Sequence, residues 1–332
     1  MATNKKITSP PDSFSDRNKW ADYIELLCIT SIDKNVALDD IYDMLFGDKS
    51  DDEIDNENED DDEINPDEAI SEKKDKKKTK ISDIFEFLKS REILFGEFYP
   101  FKISNSPLYI QMKSSQTFKH LSYLGLLASS NLDYLKTFQS SLTTNFERNS
   151  IFVFKKLFPI EADVEYFGKG NARGKVFTEN KLSARIRQLS EVLNVPLSPV
   201  FDDTEVNDSN TGDGGLDIVG WINFEDNNNG KVINFAQCAC GRDWYNKQFE
   251  IHDARWRTFL YINQPILRTL ITPSSFRRYD GNWFKQMKIY DCILIDRLRF
   301  LKSLRKKENT KVALSNGQII EEVISWNNEY FN

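Results

Sequence analysis

The chain has 332 residues, 39% of them hydrophobic, with 24 Phe, 29% charged and a net charge of −8, which is enough apolar side chain for one large domain or two ordinary ones. No stretch is long and apolar enough to cross a bilayer, and Met1 to Arg17 lacks the apolar core of an export signal. The four cysteines, Cys28, Cys238, Cys240 and Cys292, are too few and too scattered for a disulfide framework and fit a reducing cytoplasm, so a cytoplasmic protein without membrane contact is expected.

The first segment, 1–47, begins with a polar stretch to residue 17 and continues with two predicted helices, Lys19 to Ser31 and Leu38 to Phe46. Trp20, Tyr23, Ile24 and Leu27 recur at helical spacing, and Asp33 stands near the start of the second helix. Residues 48–80 form an acidic block followed by the basic run Lys73 to Lys80, and the composition predicts a disordered linker. Within it, residues 48–72 hold fourteen Asp or Glu against one Lys, so the remainder of the chain is net positive. The acidic sign of the whole therefore does not exclude a nucleic-acid partner, and the tract itself can act as a mimic covering a basic groove.

Residues 81–145 are predicted to be helical, with an amphipathic run from Ile81 to Ser90 and another from Gln116 to Ser130. His120 on the latter is expected to be structural. From 146 to 332 the pattern mixes helix and strand. Phe146 to Phe158 reads as a helix, Val164 to Gly168 as a short strand, and Leu182 to Leu193 as a helix. Residues 201–214 are a polar loop. Two strand-like runs follow, Leu216 to Asn223 and Lys231 to Cys238, separated by a turn that contains Asn229-Gly230, a hairpin signal. Further on, Ile289 to Ile295 is apolar and Arg297 to Lys307 is basic with helical character.

The chemistry concentrates in this hairpin. Asp217 follows Gly214-Gly215-Leu216 at the head of an apolar strand, where a carboxylate needs water, hydrogen bonds or a cation. Gln237 ends the facing strand. If the strands pair across the turn, a carboxylate and an amide oxygen meet at the distal end, a donor set suited to Mg²⁺. Taken singly, Asp217 can cap a turn and Gln237 can satisfy backbone groups.

Glu147 on a leading helix, then Gly214-Gly215-Leu216-Asp217-Ile218-Val219, a hairpin, and Gln237-Cys238-Ala239 together resemble the Mrr-like restriction endonuclease branch of the PD-(D/E)XK nuclease superfamily. The resemblance covers roughly residues 146–245. It implies a mixed α/β fold with a restriction-endonuclease-like central sheet flanked by helices, behind a helical N-terminal region. It implies a metal-dependent DNA endonuclease, a restriction-like or antiviral defence effector, using Mg²⁺ or Mn²⁺ to hydrolyse phosphodiester bonds. Asp217 and Gln237 would ligate the metal, with Glu147 as an outer acid and Glu191 as its rival. The lysine of the motif is replaced by Ala239, and Arg242 or Lys247 is expected to supply the basic group.

Two other readings stand beside it. One is a catalytically inactive nuclease-fold subunit that binds DNA or a protein partner of a defence complex. The other is zinc on Cys238, Cys240 and His252, which falls short of four ligands. Basic and aromatic residues alternate toward the C-terminus, and Arg277, Arg278, Arg305 and Lys306 are the expected nucleic-acid contacts.

Overall fold

The computed structural model describes residues 7, 10–46, 66–168, 174–208, 212, 214–226, 228–241 and 244–326. The chain is a mixed α/β protein with two sheets, and it divides into two compact units. The first holds residues 1–120, 277–282 and 318–332; the second holds residues 121–276 and 283–317. Among the described residues, no helix is long and apolar enough to cross a membrane.

The first unit contains α1 (Arg17–Thr30), β1 (Asn35–Ala37), α2 (Leu38–Phe46), α3 (Pro66–Phe95), β2 (Phe101–Asn105) and β3 (Leu108–Met112). Asp16 caps α1 by accepting from the Lys19 N–H, satisfying one of the orphan donors of the first turn. The sheet is antiparallel in the order β1-β3-β2. Its core is built from Ile24, Leu27, Ile41, Ile84, Phe85, Leu88 and Ile110, all buried. A buried ion cluster ties α1 to α3: Arg91 donates to Asp22 (2.6 Å) and Glu25 (3.0 Å), and the Tyr99 hydroxyl donates to Glu25 (2.9 Å).

Two expectations are corrected here. Residues 66–80, read as linker, are the first half of α3. Lys, Glu and Ala favour helix, and the anchored half from Ile81 to Phe95 supplies the nucleus from which the helix extends backward. Residues 101–112, read as helical, are the hairpin β2–β3. Residues 48–50 and the rest of the acidic block up to 65 lie outside the described residues.

The second unit is built on a five-stranded sheet in the order β4-β5-β6-β7-β8: β4 (Asp163–Tyr166), β5 (Ile218–Trp221), β6 (Ile233–Cys238), β7 (Leu267–Ile271) and β8 (Ile293–Ile295). β4 and β6 each pair antiparallel with β5, whereas β7 and β8 run parallel to β6. Its helices include α4 (Phe118–Ser130), which starts in the first unit, α5 (Gln139–Phe154), α6 (Leu182–Leu193), α7 (Asp203–Asp208) inside the expected polar loop, and α8 (Asp253–Phe259). α9 (Arg297–Ser303) and α10 (Lys306–Ile324) follow β8, and α10 ends in the first unit.

Alternation along β5 and β6 assigns the faces. Val219, Trp221, Ile233 and Phe235 pack with Ile186 and Leu189 of α6 and Trp256 and Phe259 of α8. Gly220 faces the other way, where the rings of Phe154 and Phe158 lie so near that a β-carbon would come within 2.5 Å of Phe158. The missing side chain lets the end of α5 lie directly on the sheet.

Candidate functional site

Asp217 sits where three strands meet. Gly214 (φ +69°) and Gly215 (φ +79°) take the left-handed backbone that brings the chain to it. A β-carbon on Gly215 would come within 2.9 Å of Glu250, so the loop also needs glycine for closeness. The Asp217 N–H donates to the Ala236 carbonyl (3.0 Å), and its own carbonyl accepts from the N–H groups of Phe167 (2.8 Å) and Gly168 (3.2 Å). These bonds join the end of β4, the start of β5 and the end of β6. The Asp217 carboxylate, half-buried, accepts from the Cys238 N–H at 2.7 Å, a charge-assisted bond that fixes its orientation.

Glu147 reaches the same place from α5. Burial raises the pKa of the Cys238 and Cys240 thiols well above the ordinary cysteine value, and the charges of Asp217 and Glu147 raise both further. The charges of two carboxylates on different elements thus bear on one pair of partly buried sulfurs. Tyr166 of β4 closes the group: its hydroxyl donates to the Arg148 carbonyl (2.5 Å), and burial, then Cys238, push its phenol upward. With both thiols held protonated, the negative charge of this end of the sheet resides on the carboxylates.

Gln237 stands on the other side of β6 from Cys238, as alternation requires. Its amide NH₂ donates to Glu250, whose other oxygen takes Lys247 at 2.5 Å. Gln237 is 5% exposed and its Oε1 is buried without a hydrogen-bond partner. The structure therefore gives Asp217 and Gln237 separate partners, and it directs Lys247 to the Gln237 network. Ala239, at the position of the motif's lysine, is buried against Trp244, Leu270 and Leu294, where an ammonium would be costly. Arg242 lies outside the described residues. Glu191 is exposed at the end of α6, and His252 is exposed before α8. Among the described residues, no three His, Cys, Asp or Glu side chains are grouped to hold a metal ion.

The four expected nucleic-acid contacts fall into different units. Arg277 and Arg278 belong to the first, where Arg277 donates to the Gly281 carbonyl (3.0 Å) and Arg278 lies over the exposed Tyr279 ring. Arg305 and Lys306 belong to the second and are exposed at the start of α10. The reading of the sequence passed over another surface of the second unit. Phe249 and Tyr290, both exposed, stand 6.2 Å apart with Lys285 and Lys288 nearby in the chain. Buried Gln248 fixes them by donating to the Lys288 carbonyl (3.0 Å) and accepting from the Tyr290 N–H (2.8 Å). The interleaving of aromatic and basic residues from Trp283 to Tyr290 was the available signal. No protein-family model, no curated protein and no solved structure matches this chain.

Proposed function

We propose that the second unit is a PD-(D/E)XK-type nuclease core that hydrolyses DNA phosphodiester bonds with Mg²⁺ or Mn²⁺. The observation that carries this reading is that the charges of Glu147 on α5 and Asp217 at the head of β5 both bear on the Cys238 and Cys240 thiols at one end of a mixed sheet. The order of elements supports it as well: acidic helix α5, the Asp217 strand β5, a hairpin and the Gln237 strand β6. Strand β7, parallel to β6 and reached through α8, then extends a central sheet with helices on both faces.

The donor set fits a hard cation. Mg²⁺ keeps several waters and takes one or two carboxylates plus substrate phosphates, so a cage of three side chains is not required. Asp217 and Glu147 would hold it, while Gln237, expected as the second ligand, is engaged with Glu250 instead. When bound, the metal supplies an activated water and stabilises charge on the phosphate. The Cys238 N–H keeps the Asp217 carboxylate aimed. Arg242 and Lys247 remain the proposed basic groups, Lys247 acting through its bond to Glu250.

The test is cleavage of supercoiled plasmid and of single strands with Mg²⁺ or Mn²⁺, comparing the native protein with Asp217→Asn and Glu147→Gln. Cleavage should fall by roughly a hundredfold or more in Asp217→Asn. Equal cleavage by the native protein and Asp217→Asn would remove the site from consideration. A second reading, a DNA-binding subunit without catalysis, is favoured by the burial of Ala239 where the motif has lysine. It predicts DNA binding by both proteins and cleavage by neither.

A further inference from the structure

The first unit has an architecture that the nuclease reading leaves unused. Its elements run α1-β1-α2-α3-β2-β3, and its sheet is ordered β1-β3-β2. A short strand between the first two helices thus pairs with the far strand of a terminal hairpin. This is a winged helix-turn-helix arrangement: three helices around one core, closed by a β-hairpin. In helix-turn-helix modules the second helix of the pair enters the major groove, and the first crosses the backbone. The position of that second helix is held here by α3, with residues 47–65 inserted ahead of it.

The lysine run of α3, which follows Asp67, Glu68 and Glu72 on the same helix, fits such a partner. Its inner side is spent on the core through Ile81, Ile84, Phe85 and Leu88. Before that point, the run from Lys73 to Lys80 holds six lysines and a single acid, Asp75. Lys74, Lys76, Lys78 and Lys80 are exposed. Two neighbours lash this half of the helix to α2. Lys77 Nζ lies 4.5 Å over the Phe46 ring, and Lys78 Nζ is 3.2 Å from Asp39 and 5.2 Å over the Tyr42 ring. Lys77 and Lys78 therefore hold this part of α3 against α2. An α-helix of this kind fits the width of the DNA major groove, and lysine heads can reach the flanking phosphates.

We propose that the first unit is a duplex-DNA-binding module that presents the lysine-rich half of α3 to the groove, with Lys74, Lys76 and Lys80 as phosphate contacts. The six lysines of residues 73–80 form a local basic stretch within an otherwise acidic unit and favour a polyanion there, and the helix-turn-helix order favours a duplex. The proposal stands on the first unit alone.

The test uses the full chain and fluorescence anisotropy with a labelled duplex of about 25 base pairs, across a series of salt concentrations. EDTA is present throughout, so cleavage does not enter and failure of the nuclease reading leaves the result legible. The triple variant Lys74→Gln/Lys76→Gln/Lys80→Gln is compared with the native protein and with the corresponding triple Lys→Arg variant. Each phosphate contact contributes about 0.9 to the slope of log K against log salt, so the glutamine variant should flatten that slope by about 2 to 3. Its Kd should weaken by roughly tenfold or more at moderate salt. The arginine variant should keep both values. Unchanged slope and Kd in the glutamine variant, or no duplex binding by the native protein, overturns the proposal. Equal loss in the arginine variant also overturns it, because charge would then not be the cause.

Discussion

His120 and Cys238 illustrate how single side chains take their chemistry from their surroundings. His120 is buried at the start of α4, and its Nδ1 accepts from the Thr117 N–H at 3.2 Å, which requires an unprotonated ring nitrogen. Burial lowers its pKa from the ordinary value near 6.5, and Lys113 lowers it further. The unfolded chain therefore binds this proton more readily than the folded one. The contribution is intact above pH 6.5 and declines as pH falls from there toward the folded pKa. Urea denaturation at descending pH should show this loss, and His120→Gln should flatten it. An unchanged pH slope in the variant would mean that another group controls the transition. For Cys238 and Cys240 the direction is opposite: burial and two carboxylates raise both pKa values, which makes these thiols poor nucleophiles near neutrality.

At the scale of elements, the seating of α5 on the sheet decides where Glu147 lies. That seating depends on Gly220, whose β-carbon would meet Phe158 at 2.5 Å and Phe154 at 3.1 Å. Gly220→Ala should cost about 1–3 kcal/mol, because the aromatic rings and the helix behind them must move. Denaturant midpoints would measure the loss. Cleavage should fall too, although Asp217 keeps its own hydrogen bonds. A stable variant would mean that the rings can turn aside without moving the helix. Elements also differ in how plainly the sequence announces them. α2 and α6 occupy the predicted ranges, because apolar side chains recur at helical spacing within both. β1, β2 and β3 escaped, since they span three to five residues and each buries a single side chain. β7 was missed for a related reason: Leu267–Ile271 is brief, and only three of its residues are buried. β1 pairs with β3, and β7 with β6 and β8, at separations that local periodicity does not register.

For the whole molecule, ligand linkage offers a readout independent of turnover. A cation that binds the folded protein alone stabilises it by RT ln(1 + [L]/Kd), about 2.7 kcal/mol at a hundredfold excess over Kd. Mg²⁺ or Mn²⁺ should therefore raise the Tm of the native protein and leave Asp217→Asn almost unmoved. An equal rise in both would place the cation elsewhere. Charge also needs to be read at this scale. The net value of −8 is dominated by residues 48–72, whose last residues open α3, and the lysines of 73–80 follow directly on the same helix.

The sequence by itself determined the mixed α/β class and the β5–β6 hairpin, and it singled out Asp217, Gln237 and Glu147 as candidates. Each of these rests on local signals: apolar runs, a glycine-rich turn and polar residues at strand ends. Only the tertiary structure decided that alternate residues of β6 serve different networks, Cys238 beside Asp217 and Gln237 beside Glu250. A period of two shows that neighbours part, but packing decides which side each one meets. It was likewise long-range pairing of β1 with β3, and the anchoring of α3 on α1 and α2, that turned an apparent linker and a helical stretch into an ordered unit.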